Sequence, residues 1–145
     1  MPLPTCTFGT QPNLALATNY QDIWWKSPAA SESGWGINLN HQGDTIFATW
    51  FTYDVDGTPM WLVVTAPKTA PGVYSGDLYR TSGARFDAFV GANVVPVKVG
   101  TAAFTFTDGN TATFAYDITG VGPTRVTQSR AITREIFTAP GTACQ

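Results

Sequence analysis

Val97 to Ile118 reads VKVGTAAFTFTDGNTATFAYDI, and this stretch decides how the whole chain folds. Ala102, Phe104 and Phe106 alternate with Thr101, Ala103 and Thr105, and after Asp108-Gly109-Asn110 the alternation resumes through Ala112, Phe114 and Tyr116. A period of two puts one set of side chains on each face of an extended strand, and a short Asp-Gly-Asn break between two such runs is hairpin chemistry. Working outward, turn signals recur at His41-Gln42-Gly43-Asp44, Asp54-Val55-Asp56-Gly57, Ala66 to Gly72 and Thr119 to Pro123, with a longer break from Thr81 to Asn93. No segment keeps an apolar i, i+3, i+4, i+7 pattern over three turns.

The spacing predicts about eight strands: Asp22 to Trp25, Trp35 to Asn40, Thr45 to Tyr53, Met60 to Ala66, Gly72 to Arg80, Val97 to Thr107, Thr111 to Ile118 and Arg125 to Phe137. Such a meander is expected to be all-β and antiparallel. It hides its edges by closing as an up-and-down β-barrel, with a β-sandwich as the alternative. The long strands suit barrel tilt. Pro96 lacks a backbone donor and is expected at a strand start or a bulge.

The 145 residues fit one domain. The division expected is an N-terminal extension over 1–18, a barrel over 19–137 and a C-terminal tail over 138–145. Cys6 and Cys144, the only cysteines, sit at opposite ends and suit a disulfide clasp joining the termini; two unpaired thiols are the alternative. A loop of that length would stabilise the fold by roughly 4–5 kcal/mol on the chain-entropy model. A clasp of this kind favours a secreted or periplasmic location; Met1 to Cys6 shows no signal-peptide pattern, so the sequence itself does not show export and a removed leader stays open.

Net charge is −2 and the eight Lys and Arg are scattered, so nucleic acid is not an expected partner. No apolar run approaches the roughly 20 residues of a helical membrane span, and no membrane insertion is expected.

From Asp22 to Leu62 the chain carries Ile23-Trp24-Trp25-Lys26-Ser27-Pro28, Ser33-Gly34-Trp35-Gly36-Ile37-Asn38-Leu39, Trp50-Phe51-Thr52-Tyr53-Asp54 and Gly57-Thr58-Pro59-Met60-Trp61-Leu62. This resembles a recurring Trp-rich β-domain of secreted proteobacterial proteins whose function is uncharacterised. The resemblance extends over about Asn19 to Phe137. It implies export, often in tandem or beside other modules, and implies no activity and no functional residue.

The residues themselves point to binding. All five tryptophans, Trp24, Trp25, Trp35, Trp50 and Trp61, precede residue 62. Aromatic faces stack on sugars or cover apolar ligands at little entropic cost, although buried tryptophans are also ordinary core. Gly34 and Gly36 share a strand face with Asn38 and Asn40, which reads either as an open polar face or as space filled by rings from neighbouring strands. On Thr45 to Tyr53, Ile46, Ala48 and Trp50 point one way and Phe47, Phe51 and Tyr53 the other, so one barrel core cannot bury both sets. The candidate ligand-binding residues are therefore Trp25, Trp35, Trp50, Trp61, Asn38 and Asn40, with at least one of the four tryptophans expected to line a concave site beside Asn38 or Asn40.

Catalytic chemistry is not expected. The one histidine, His41, falls in a turn and there is no G-x-S-x-G elbow. Asp54-Val55-Asp56-Gly57 lacks the later ligands of a calcium loop, and one His with two terminal Cys makes no zinc site. Asp77 and Asp117 would matter only if they shared a cavity. No cofactor is expected. The leading function is a non-catalytic module recognising a neutral carbohydrate or small, partly apolar ligand. The alternative is a structural or interaction domain packing on another protein module or a second copy. An inhibitor of an exported hydrolase stands third, by analogy of fold alone.

Overall fold

The computed structural model describes residues 18–137. Within them the chain forms β1 (Asp22–Lys26), β2 (Gly36–Gln42), β3 (Thr45–Tyr53), β4 (Pro59–Ala70), β5 (Val73–Ser82), β6 (Val95–Asp108), β7 (Thr111–Ile118) and β8 (Val126–Arg134). Each strand pairs antiparallel with the next, and β8 returns to β1 through Trp24↔Arg134 and Lys26↔Ile132. The result is a closed eight-strand barrel in sequence order.

Most expected boundaries move by one or two residues, and two move further for local reasons. β4 continues to Ala70 through the stretch read as a turn, because the Lys68 amide donates to the Asp44 carbonyl at 2.7 Å and Ala70 still pairs with Val73. β8 stops at Arg134, short of Phe137, because β7 begins at Thr111, opposite Thr133, and past Arg134 only the Glu135 amide still bonds to β1, at the Ile23 carbonyl. Pro96 is the second residue of β6, opposite Thr81, near the strand start. The clasp expected between Cys6 and Cys144 lies outside the described residues.

Alternation decides what fills the barrel. Trp24, Ile37, Ile46, Leu62, Phe104, Phe114 and Ile132 lose essentially all solvent contact inside it. Eight strands enclose just enough space for side chains, and rings occupy it: Phe104 stacks on Phe114 at 5.0 Å, and Trp50 meets Phe114 edge-on at 5.0 Å. Where strands come closest, side chains vanish. A Cβ on Gly76 or Gly100 would land on the carbonyl oxygens of Thr65 and Asp117, and Gly100 borders the irregular register between β5 and β6.

The two barrel ends differ. One carries the tight β2–β3, β4–β5 and β6–β7 turns and receives the chain at Thr18–Gln21. The other carries the longer connections 27–35, 54–58, 83–94 and 119–125.

Candidate functional site

The strand expected to have two apolar faces has them. On β3, Ile46, Ala48 and Trp50 are buried, while Phe47, Phe51 and Tyr53 are 42, 50 and 53 % exposed. Nothing among the described residues covers the outer set. Register adds neighbours: Gly36, Phe51 and Trp61 form one transverse row, Asn38, Thr49 and Val63 the next, and Asn40, Phe47 and Thr65 a third. Rows on one sheet face are about 7 Å apart, so rings, then amide and hydroxyl, then a ring again follow one another along the wall. Trp61 is half exposed. From Gly36 to Pro67 every outward position of β2, β3 and β4 is uncharged.

The six candidate residues fall in different parts of the barrel. Trp61, Asn38 and Asn40 share this outer wall, which is an open face and not the concave site expected. Trp50 points inward, is 7 % exposed and packs its ring against Phe114 and Tyr116. Trp25 lies outward on β1 beside Thr133, half buried, and its indole N–H is shielded from solvent without an acceptor, as is that of Trp50. Trp35 sits at the long-loop end, where its indole N–H donates to Glu32 Oε2 at 3.0 Å and the Arg130 guanidinium lies 5.4 Å from its ring centre. Arg130 also pairs with Glu32. The Trp35 hydrogen bond is the largest influence on Glu32 and holds its carboxyl below the usual range.

The glycines divide as well. The Tyr53 hydroxyl lies 3.5 Å from where a Cβ on Gly34 would stand, so that ring covers the position, whose φ of 118° itself favours glycine. A Cβ on Gly36 would meet, apart from its chain neighbours, only the Trp24 carbonyl oxygen at 3.4 Å. No ring from an adjacent strand fills the space above Gly36.

Asp77 and Asp117 also face outward, in a row with Thr101 and Thr127. The adjacent row, Ser75, Ala103, Ala115 and Ser129, is made of small side chains, and the two rows line a shallow groove on the wall opposite the aromatic one. Asp77 is paired with Lys98 at 2.9 Å. Arg125 donates to Asp117 from Nε at 2.8 Å, which holds that carboxyl below its ordinary value.

Sequence reasoning passed over two features. The break from Thr81 to Asn93 presents Phe86 and Phe89 at 96 and 74 % exposure; apolar residues inside a turn-rich stretch were the available signal. His41, read as a turn residue, is instead buried in β2, where the inward phase of Ile37 and Leu39 continues through it.

Comparison of the chain with protein-family models, with curated proteins and with solved structures finds no match.

Proposed function

We propose that this domain is a non-catalytic binding module that holds a neutral polysaccharide chain against the outer wall of β2–β4. The observation carrying this reading is the exposed row of Phe51 and Trp61, next to Asn38 and Thr49, on a face without fixed charge. Ring faces cover the apolar faces of sugars, amides and hydroxyls bond their edges, and an uncharged surface suits a neutral chain. The filled interior argues against a small ligand held within the barrel.

The test is Trp61→Ala, assayed by co-sedimentation with insoluble neutral polysaccharides and on a glycan array. Because Trp61 is half exposed, its melting temperature should stay within a few degrees of wild type, while affinity falls by on the order of 2 kcal/mol. A wild-type domain that binds no neutral glycan would overturn the assignment.

A second reading, docking onto another protein, is favoured by the exposed Phe86 and Phe89 of the 83–94 connection. Exposed apolar rings are also what interface centres are made of, and the charges beside Phe86, Arg85 and Asp87, are paired with each other. Sedimentation velocity over a range of concentrations, comparing wild type with Phe86→Ser/Phe89→Ser, separates it from the first. Either reading assumes an exported setting with the Cys6–Cys144 clasp formed, so titration of the unreduced, denatured protein should find no free thiol.

A further inference from the structure

The tight-turn end of the barrel is closed by the chain itself. As residues 18–21 approach β1, the Tyr20 ring stacks on Phe106 with centroids 3.7 Å apart and lies parallel to the His41 ring at 5.5 Å. Its carbonyl accepts the Trp24 indole N–H at 2.9 Å, and the Arg134 guanidinium binds the carbonyls on either side, Asn19 at 2.6 Å and Gln21 at 3.0 Å. The remaining backbone group, the Tyr20 amide, donates to His41 Nδ1 at 3.1 Å. That bond fixes the tautomer: Nδ1 must be unprotonated, so the proton sits on Nε2, which lies 3.3 Å from the Tyr74 hydroxyl.

We propose that Tyr20 is a pH-gated plug of this barrel end, seated while His41 is neutral and unseated when His41 is protonated. A proton on Nδ1 sets two N–H groups against each other, removes the acceptor of the Tyr20 amide and leaves a charge in a site that burial disfavours. The carbonyl anchors from Arg134 to Asn19 and Gln21 and from Trp24 to Tyr20 carry no titratable acceptor, so the backbone stays tethered there and the change is confined to the Tyr20 amide and ring.

Burial is the main influence on His41 and pushes its pKa below 6.5, with the Gly43 backbone and Asp44 acting in the opposite sense and Lys68 reinforcing it. The groups facing the ring are Tyr20 from the incoming segment, Asp44 in the β2–β3 turn, Lys68 on β4 and Tyr74 on β5. Lys68 and Asp44 also pair with each other at 3.6 Å, which makes their fields largely cancel at His41. The sign follows. A depressed histidine pKa means that opening takes up a proton, so the seated state is fully favoured above about pH 6.5 and loses ground as pH falls below it.

His41 is the only histidine, so one imidazole C–H resonance reports its titration. The companion measurement is exchange protection of the Tyr20 amide between about pH 7 and about pH 5, corrected for the intrinsic rate. Protection is expected to fall by about tenfold or more as the His41 resonance titrates, while core strand amides such as Phe104 hold theirs. In His41→Asn, the side-chain oxygen substitutes for Nδ1 as a non-titrating acceptor, and protection of Tyr20 should become independent of pH. The proposal is overturned if wild-type Tyr20 keeps its protection while His41 titrates, if His41 does not titrate at all in this range, or if His41→Asn keeps the wild-type pH dependence. The wild-type measurement decides the matter alone if that variant does not fold.

Discussion

Replacing Arg134 by Leu tests whether one buried cation closes the barrel seam. Arg134 is 4 % exposed and lies on β8 opposite Trp24 of β1. Its guanidinium donates to the Gly109 carbonyl in the β6–β7 turn at 2.6 Å, to the Asn19 and Gln21 carbonyls of the incoming segment and to Asp22 Oδ2 at 3.1 Å, and it lies 5.1 Å from the Trp24 ring centre. Leucine keeps much of the apolar stem and deletes every donor. Gly109 is buried, so its carbonyl bears the cost of an orphaned acceptor, about 1–3 kcal/mol. Asn19 and Gln21 lie nearer solvent, and water recovers part of their loss. The half-exposed Asp22 carboxylate adds at most about 1 kcal/mol after solvent screening, and the cation–π contact about 1 kcal/mol. The total is about 3–5 kcal/mol, the range for breaking one side of a buried charged network. For a chain of this size that lowers the melting temperature by roughly 10–20 °C. Urea denaturation of both proteins at neutral pH, with an unchanged m-value, measures it. A loss under about 1 kcal/mol would mean that water replaces the guanidinium and that the seam rests on strand pairing alone.

Three further outcomes are expected. Trp50→Ala should cost about 3–5 kcal/mol, whereas Trp50→Phe should cost clearly less, because the indole N–H it removes has no acceptor to lose; paired denaturation curves distinguish the two. Gly100→Ala should destabilise by about 1–3 kcal/mol although only a methyl is added, since the Cβ meets the Asp117 backbone at the β6–β7 ladder, and Gly43→Ala, which meets nothing but must hold φ at 56°, should cost only about 1 kcal/mol. The Arg125–Asp117 pair should contribute stability above the ordinary Asp range and lose it as pH falls through the depressed value, so Asp117→Asn should flatten that acid limb in pH melts at low salt and make little difference at high salt.

The strand pattern was legible because period-two alternation leaves no other way to bury Ala102, Phe104 and Phe106 together, and the turns carry Gly, Asp and Asn where the chain reverses. Closure into a barrel is less local. It depends on Trp24 finding Arg134 across 110 residues, and an arginine in the last strand gives no sign in sequence that its charge will be spent on backbone carbonyls. For the same reason the candidate site was only half readable. The opposite faces of β3 follow from alternation, and Phe51 and Trp61 could each be assigned to the outer side. That they stand directly across from one another is a matter of register, set by the turn at Asp54–Thr58, where the Asp54 amide and the Thr58 carbonyl bond at 2.8 Å. Trp50 is ambiguous by residue type, since tryptophan suits core and ligand alike, and it is the phase it shares with Ile46 and Ala48 that takes it inward. His41 was hidden because the turn starts two residues later, at Gly43, than its polar neighbours suggest.

Where the proposed binding site can lie follows from how the barrel solves its own packing. Eight strands leave no spare volume once Trp24, Trp50, Phe104 and Phe114 are inside, so affinity for anything larger than water has to come from the wall or the ends. The two walls are not equivalent. Over β5–β8 the outward positions are mainly small or hydroxylated, with Asp77 and Asp117 balanced by Lys98 and Arg125, which is what solubility alone requires. Over β2–β4 the outward positions carry Phe47, Phe51, Tyr53 and Trp61 in water, and none of these exposed rings is needed to fill the core. Large apolar groups held in solvent reduce solubility without stabilising the monomer. Among the described residues these rings share one uncharged face, and that asymmetry between the two walls is what supports the proposal of a ligand held along β2–β4.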